Sequence, residues 1–277
     1  MSDAPGFLYI VSTPIGNLGD LSARAIETLK SVAVVLAEDT RHSRPLLQRF
    51  EIGTPLQSYH EHNEARTANA LVARMVAGES MALISDAGTP LLSDPGARLV
   101  AAAIEASVRV VPIPGASALL SALVASGISA ERFTFFGFLE RKGAERTSAL
   151  AQIALLSHTA VVYEASPRVA ATLRDLVALG CGERLGSVAR ELTKQFEEVR
   201  RGTLAELALY YDESPPRGEV VIVIAGAPAL VADEHAAREQ ARALRAEGLS
   251  ARDIARTLVS DQGITRNVAY KLAQEED

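Results

Sequence analysis

The stretch MALISDAGTPLLSDPG, residues 81–96, decides the fold. It opens on an apolar run, residues 81–84, which predicts a buried strand. The run stops at Ser85-Asp86, and two glycine-bearing turns follow, Gly88-Thr89-Pro90 and Asp94-Pro95-Gly96. A helix is predicted from near Ala97 to about Ala106. A strand that ends in a tight, polar, glycine-bearing loop is where open α/β sheets bind ligands, at the carboxyl edge of the strands. The glycines let backbone approach a ligand or turn through positive φ. Turn residues are common in any loop, so the stretch by itself reads equally as an ordinary strand-to-helix connection.

The flanking chain repeats the pattern. Residues 7–12 (FLYIVS) predict a strand, and a Pro/Gly loop runs from there to Asp20. Asp20 or Ser22 is placed to cap a helix reaching about Lys30. Residues 32–37 (VAVVLA) predict a second buried strand, ending in the dense polar cluster Glu38-Asp39-Thr40-Arg41-His42-Ser43. Residues 58–64 lead into an amphipathic helix ending near Ala77. A further strand at 108–112 runs into Pro112-Ile113-Pro114-Gly115-Ala116-Ser117, and an Ala/Leu-rich helix follows to about Ser126. Strands alternating with helices predict a parallel α/β sheet for this half. No G-x-G-x-x-G follows any strand and no Walker A loop is present, so the usual nucleotide fingerprints are missing.

In the second half, residues 133–138 (FTFFGF) predict an edge strand, and the charged run 141–146 marks a boundary loop. Strands are predicted at 160–163 and 185–189, with partial alternation at 196–202 and a short helix after Thr203. Residues 220–225 (VVIVIA) form the most continuous β-branched run and predict a central strand. After Pro228 the composition shifts to helical Ala, Arg and Glu. The expected division is therefore 1–130, 131–228 and a helical extension, 229–277. Two short helices near the end, around Gly263, are similar to a helix-turn-helix whose second helix shows Thr265, Arg266, Asn267, Tyr270 and Lys271. A plain helical cap with a solvated basic face reads as well, and the acidic end Glu275-Glu276-Asp277 favours it.

Composition narrows the function. Hydrophobic residues are 48% and charged residues 22% of 277, a globular mix. Aromatics are 5% and Trp is absent, which argues against a module built on many base-stacking platforms. The formal net charge is -6, so any nucleic-acid contact needs a local basic patch. One cysteine, Cys181, excludes an internal disulfide framework and a cysteine-based zinc site. No apolar run approaches the ~20 residues of a membrane span, and the first residues lack the basic region of a secretory signal. The expectation is a cytoplasmic protein.

The landmarks coincide beyond what loops alone explain. LYIVSTPIGNL (8–18), AEDTRHS (37–43), YHEHNE (59–64), the stretch at 81–96, VPIPGAS (111–117), YEASPR (163–168), ARELTK (189–194) and Arg201-Gly202 occur in one order along the chain. In these motifs the sequence resembles the tetrapyrrole methylase superfamily, and within it the bacterial small-subunit ribosomal RNA methyltransferase I group. The resemblance implies two α/β domains with S-adenosylmethionine in the cleft between them. It implies methylation of the ribose 2′-hydroxyl of a cytidine in the decoding region of 16S ribosomal RNA, within the 30S subunit, by a homodimer.

The resemblance also implies which residues line the cofactor pocket: Ser85, Asp86, Ala87, Gly88 and Thr89; Pro114, Gly115, Ala116 and Ser117; Tyr163, Glu164 and Ala165; and Pro14 beside them. Methyl transfer from a sulfonium needs alignment and removal of one hydroxyl proton. Glu38, Asp39 and His42 share a strand end and are general-base candidates, with Arg41 placed to hold RNA phosphate. An Arg–carboxylate network fixing that loop is the competing reading. Glu191 and Lys194 form a second candidate group, since a Lys of lowered pKa can act as base. Arg168 and Arg190, with Arg200 and Arg201, are candidates for a local RNA-binding groove, or else ion-paired surface arginines. His60 and His62 lack the i, i+4 spacing of a helical zinc pair, and the chemistry needs no metal. Two other functions compete: a methyltransferase of the same fold acting on a tetrapyrrole or another small molecule, and a non-enzymatic RNA-binding factor working through the C-terminal helices.

Overall fold

In the computed structural model, the first half of the chain forms β1 (Phe7–Val11), β2 (Val34–Ala37), β3 (Leu56–Ser58), β4 (Met81–Ile84) and β5 (Arg109–Ile113). Between and after them run α1 (Ala23–Ser31), α2 (Thr40–Arg49), α3 (Glu61–Val76), α4 (Ala97–Glu105) and α5 (Ala118–Ala125). The strands build one parallel sheet in the order β3-β2-β4-β1-β5. Both faces are buried, as the apolar runs require. Leu8, Leu36, Met81 and Leu83 pack with α3 and α4 on one side. Val11, Val35, Ala82 and Ile84 pack with α1 and α2 on the other. Ser22 caps α1 by accepting the Ala25 N–H at 3.1 Å. Residues 5–228, 234–262 and 264–275 are described throughout.

The second half forms β6 (Phe133–Phe138), β7 (Thr159–Ala165), β8 (Leu185–Arg190), β9 (Glu198–Thr203) and β10 (Glu219–Ile224), with α6 (Ala144–Leu155), α7 (Val169–Leu176) and α8 (Leu204–Glu213). Their order is β6-β7-β10-β8-β9, so FTFFGF is an edge and the β-branched run is central. This sheet is mixed: β6 and β7 are parallel, and β7, β10, β8 and β9 pair antiparallel. The reason is chain length. Only residues 191–197 join β8 to β9, too few for the crossover that parallel pairing needs. Along β10, Val220, Ile222 and Ile224 face α6 to α8. Val221 and Val223 face the other way and pack with Leu119 and Leu123 of α5. A helix from the first half thus closes the second sheet.

Three elements depart from the sequence expectation. Strand β3 is short and unremarkable in composition. Helix α2 occupies the polar cluster after β2 and contains Pro45, which lowers its local propensity. Helix α6 begins inside the expected boundary loop, after Gly143 at φ +95°. The described residues divide into two compact units after Gly226, so both sheets share the first unit and the expected boundary near 130 lies within it. The second unit holds α9 (Glu234–Ala246), α10 (Ala251–Gln262) and α11 (Arg266–Gln274) around its own small core, which includes Ala241, Ile254, Leu258 and Leu272. Thr265, Arg266, Asn267, Tyr270 and Lys271 are all exposed there. Gly263 lies outside the described residues. Among the described residues no helix is long and apolar enough to cross a membrane.

One buried charge ties the second sheet to its helices. Glu164, near the end of β7, is 1% exposed. Its carboxylate meets the Arg168 guanidinium at 2.6 Å, accepts the Thr172 hydroxyl at 2.6 Å and accepts the Ala165 N–H at 2.8 Å. Arg146 stands 4.0 Å away and also bonds Asp175 at 2.6 Å. Removing one member of a buried ion pair strands its partner's charge, at roughly 3–5 kcal/mol. Glu164→Ala is therefore expected to lower unfolding free energy in urea by about that amount. The double variant Glu164→Ala/Arg168→Met is expected to lose less than the sum of the two single changes.

Candidate active site

The register of the first sheet sets the site. Ala37 and Ile84 are cross-strand partners, so Glu38-Asp39 and Ser85-Asp86 leave the sheet side by side. The Asp39 N–H donates to Asp86 Oδ1 at 3.2 Å. On the other flank of β4, the loops after β1 and β4 are joined by a two-way backbone pair: the Thr13 N–H to Gly88 O at 2.8 Å, the Gly88 N–H to Thr13 O at 3.0 Å. Gly88 takes φ +80°, which glycine adopts freely. Thr89 Oγ1 lies 3.0 Å from Ser12 Oγ and donates to Ala116 O at 3.2 Å, bringing in the loop after β5. Three carboxyl strand ends are thereby fixed to one another.

Against them, in the same compact unit, lies a cavity of about 310 Å³. That is within the ~300–1,000 Å³ range of small-molecule sites. One wall is Asp86, Ala87, Gly88 and Thr89, continued by Leu92, Ser93 and Asp94. The opposite wall is Tyr163, Glu164 and Ala165 of β7 and Gly218 to Val221 at the start of β10. Ile15, Leu192, Ala118 and Phe138 complete it. Tyr163 is held by Phe135 and Phe138, at ring centroid distances of 4.8 and 5.4 Å, and its hydroxyl accepts the Leu119 N–H at 3.2 Å.

The backbone is strained on both sides of this cavity. Leu91 and Ser93 sit at φ +73° and +69°, Glu191 and Thr193 at +49° and +67°. Each such non-glycine residue costs on the order of 1–3 kcal/mol, and such residues cluster at functional loops. At the second loop the chain is also packed tightly. A Cβ on Gly218 would lie 1.9 Å from Glu191 Oε1, and one on Gly16 would lie 2.4 Å from Lys194 Cγ.

Among the expected cofactor residues, Asp86, Ala87, Gly88, Thr89, Tyr163, Glu164 and Ala165 line the cavity. Ser85, Gly115, Ala116 and Ser117 lie outside the lining, Ser85 and Ser117 buried and Gly115 exposed. Ser85 Oγ donates to Gly88 O at 3.2 Å, and Ser117 caps α5. Gly115 lets the third loop pass Ser12, where a Cβ would come within 3.0 Å. Pro14 is buried and Pro114 is exposed, both outside the lining. The Glu164 carboxylate, though at the wall, is engaged by Arg168, Thr172 and Ala165.

The catalytic candidates separate. Asp39 caps α2 and binds Arg41 through both oxygens, at 2.8 and 3.1 Å to Oδ1 and 2.8 Å to Oδ2. The Arg41 hydrogen bonds hold its carboxyl well below the usual range, which makes it a poor proton acceptor. His42 is exposed on the first turn of α2. Lys194 Nζ lies 3.1 Å from Glu191 and 3.3 Å from Glu219. Burial pulls its pKa down, but the hydrogen bonds and charges of those two carboxylates outweigh this and raise it, so it stays an ammonium. Burial raises the Glu38 carboxyl, and Asp86 adds to the effect.

Asp94 was not among the sequence candidates. Burial, then the charges of Glu38 and Asp86, push its carboxyl up to about 6. Its position before Pro95-Gly96 hides it, because Asp-Pro-Gly is a turn signature. Leu92, Phe138, Leu192 and residues 218–221 were missed likewise; the strain at 91, 93, 191 and 193 has no signature in composition.

Of the expected RNA-binding arginines, Arg41, Arg168, Arg190 and Arg200 are ion-paired, and Arg201 donates to the Ala125 and Ser126 carbonyls. Arg41 is exposed but bound to Asp39. Arg168 turns inward, donating to Leu139 O at 2.9 Å as well as pairing with Glu164. Arg190 Nε holds Glu198 at 2.7 Å. His60 and His62 stack edge-on at the start of α3. Among the described residues no group of three or more His, Cys, Asp or Glu is arranged to hold a metal.

A family model described as Tetrapyrrole (Corrin/Porphyrin) Methylases matches residues 8–208. A protein of Synechocystis sp. named ribosomal RNA small subunit methyltransferase I is 46% identical over 275 residues, covering 98% of each chain. One of the same name from Xylella fastidiosa is 51% identical over 236 residues, 84% of this chain and 85% of the relative. A crystal structure of uroporphyrin-III C-methyltransferase from Thermus thermophilus, complexed with S-adenyl homocysteine, superposes with a TM-score of 0.56 at 20% identity, covering 79% of this chain and 97% of that one. At that identity the structure speaks for the fold, whereas the two sequence relatives speak for the family. The chain belongs to the tetrapyrrole methylase family, and within it to the group named ribosomal RNA small subunit methyltransferase I.

Proposed function

We propose that this chain is an S-adenosylmethionine-dependent methyltransferase that modifies the ribose 2′-hydroxyl of a cytidine in the decoding region of 16S ribosomal RNA. The observation that carries the reading is identity of 46% along 98% of the chain to a ribosomal RNA small subunit methyltransferase I, a span that takes in both walls of the cavity. The donor set fits the cofactor. Ala87 and Gly88 offer bare backbone, Ile15, Leu92, Leu192 and Val221 an apolar bed, and Asp86, Asp94 and Glu219 negative charge for a cationic ligand. The likeness to a methyltransferase complexed with S-adenyl homocysteine supports the same choice. When bound, the cofactor supplies a methyl group already activated on a sulfonium.

The protein's own part is to orient the acceptor and accept its proton. Asp94 lines the cavity and has the carboxyl closest to the working range of a general base. We assign it that role, with burial first and then the charges of Glu38 and Asp86 holding its pKa up. Lys194, fixed by Glu191 and Glu219 at the rim, is placed to meet negative charge on the incoming RNA. Arg41, with a side chain 89% exposed, serves the same purpose at the opposite strand end. In this reading residues 1–130 and 131–228 act as two domains around the cofactor, and the enzyme works in the cytoplasm on the 30S subunit. It works as a homodimer, for which α5 offers Leu120 and Val124, 50% and 76% exposed and one turn apart.

Four experiments test this. Incubation with labelled S-adenosylmethionine and 30S subunits lacking the modification is expected to label one decoding-region cytidine at the 2′ position by mass mapping; labelled RNA of any other kind, or none, refutes the assignment. Asp94→Asn is expected to lower kcat/KM by about 10²–10⁴-fold, and wild-type kcat/KM to rise with pH through about 6. Stability moves oppositely. The folded chain binds the Asp94 proton more tightly than the unfolded chain, so wild type loses stability as pH rises from about 4 to about 6. Asp94→Asn should therefore raise Tm at pH 8, and the gain should shrink as pH falls through 6. By analytical ultracentrifugation, Val124→Asp is expected to shift a dimer toward monomer.

A further inference from the structure

A second cavity, of about 230 Å³, opens on the other face of the second sheet. It lies between the end of β8, the start of β9, the end of α8 and the Pro215-Pro216 turn. Tyr211 lines it and is 1% exposed, and its hydroxyl has no hydrogen-bond partner in the protein. A buried donor left unsatisfied is costly, and it marks a place where a ligand atom completes the structure. Burial pushes this phenol up to about 12, so it is an O–H donor at any physiological pH.

The charges around it are mostly positive. Arg190 and Arg217 line the cavity beside Glu198. Glu198 is held by Arg190 at 2.7 Å and by Arg200 at 3.1 Å. Arg200 lies 3.5 Å over the centroid of the Tyr210 ring, which also lines the cavity. Arg217 is exposed and forms no ion pair among the described residues. Two guanidiniums, of Arg190 and Arg217, thus line the cavity with one carboxylate and the Tyr211 phenol, and a third, of Arg200, holds that carboxylate from outside the lining. That combination selects an anion with several acceptor oxygens, and the volume admits a sugar-phosphate unit.

The cavity is also placed beside the first one. Arg190 and Val220 are cross-strand partners; Arg190 lines the second cavity and Val220 the first. Residues 217–219 run from one to the other. A strand threaded across this sheet end would present one nucleotide to the active site and its neighbour's backbone to Tyr211.

We propose that the Tyr211–Arg190–Arg217 cavity is a phosphodiester subsite that holds the RNA backbone next to the target nucleotide. The proposal rests on the RNA reading above. Tyr211 Oη donates to a phosphate oxygen, Arg217 supplies an unpaired charge, and Arg190 contributes from its fixed place against Glu198. The test is binding of the decoding-region hairpin of 16S RNA to full-length protein between about 50 and 200 mM salt. Arg217→Gln is expected to weaken binding and to flatten the log Kd against log salt slope by about 0.7–0.9, the loss of one neutralised phosphate. Tyr211→Phe removes a neutral donor, so it should weaken binding about tenfold with the slope unchanged. Arg217→Gln should keep wild-type Tm, Tyr211→Phe should raise it because it removes an unsatisfied buried donor, and both should keep wild-type calorimetric affinity for S-adenosylmethionine. Wild-type affinity and slope in both variants would overturn the subsite while leaving the RNA reading intact. Failure of the wild-type protein itself to bind the hairpin would overturn that reading, and the subsite with it.

Discussion

Two backbone hydrogen bonds, exchanged between Thr13 and Gly88, hold the site in place. They fasten the loop after β1 to the loop after β4 at the point where the strand order of the first sheet turns back on itself. Open α/β sheets bind ligands at such points because the loops there diverge and leave a crevice. Here the crevice is kept from spreading. Thr89 extends the clasp to Ser12 and Ala116, and Gly115 allows the third loop to lie close. Replacing Gly88 by a residue with a side chain would meet Ile15 Cγ2 at 3.3 Å and an unfavourable φ together. The part of the wall formed by residues 86–89 therefore takes its course from hydrogen bonds of the main chain and Thr89.

Acidic groups play two opposite parts around that wall. Glu164 is buried but surrounded by donors, so its charge is neutralised and it works as a structural anchor. Asp94 is partly buried next to two other carboxylates, Glu38 and Asp86, so its charge is opposed. A carboxyl group is a brace in one case and, in the proposed mechanism, a proton acceptor in the other, according to what stands beside it. The second arrangement works against folding stability at neutral pH. Together with the left-handed backbone at 91, 93, 191 and 193, it concentrates unfavourable energy on the two loops that face the cavity, as functional sites commonly do.

Much of this could be read from residue order. Residues 81–84 are apolar on both faces, so a buried parallel strand was legible, and the turns after it placed a loop at the ligand edge. The central place of 220–225 followed from its β-branched run. Antiparallel pairing of β8 with β9 was available in the short segment 191–197 but was not drawn from it. The cavity's second wall was hidden for another reason. Residues 218–221 read as the start of a core strand, and only the neighbouring β7 and the loop at 191–194 turn their edge into a lining. Asp94 was hidden because its neighbours are distant in sequence: Glu38 reaches it only through the pairing of β2 with β4. Arg168 was misleading for the converse reason, since a surface-type residue in a YEASPR motif is drawn inward by a glutamate four positions earlier.

The separation of duties along β10 follows from strand geometry. Successive side chains of a strand point to opposite faces. Val221 and Val223 face α5, while Val220 and Ile222 face α7 and α8. The strand's first residues therefore stand at the rim of both faces at once. A chain that must grip a small cofactor and a long polymer needs two surfaces of different character close together. The cofactor side is apolar with a few acids, suited to a cationic ligand; the other side is lined by arginine and tyrosine, suited to a polyanion. A net charge of -6 is compatible with RNA binding on these terms, because the positive field needs to be strong only over one rim of one sheet. In the proposed reading, the acidic cluster on the opposite wall would repel a backbone phosphate and so help fix which part of the RNA enters the active site.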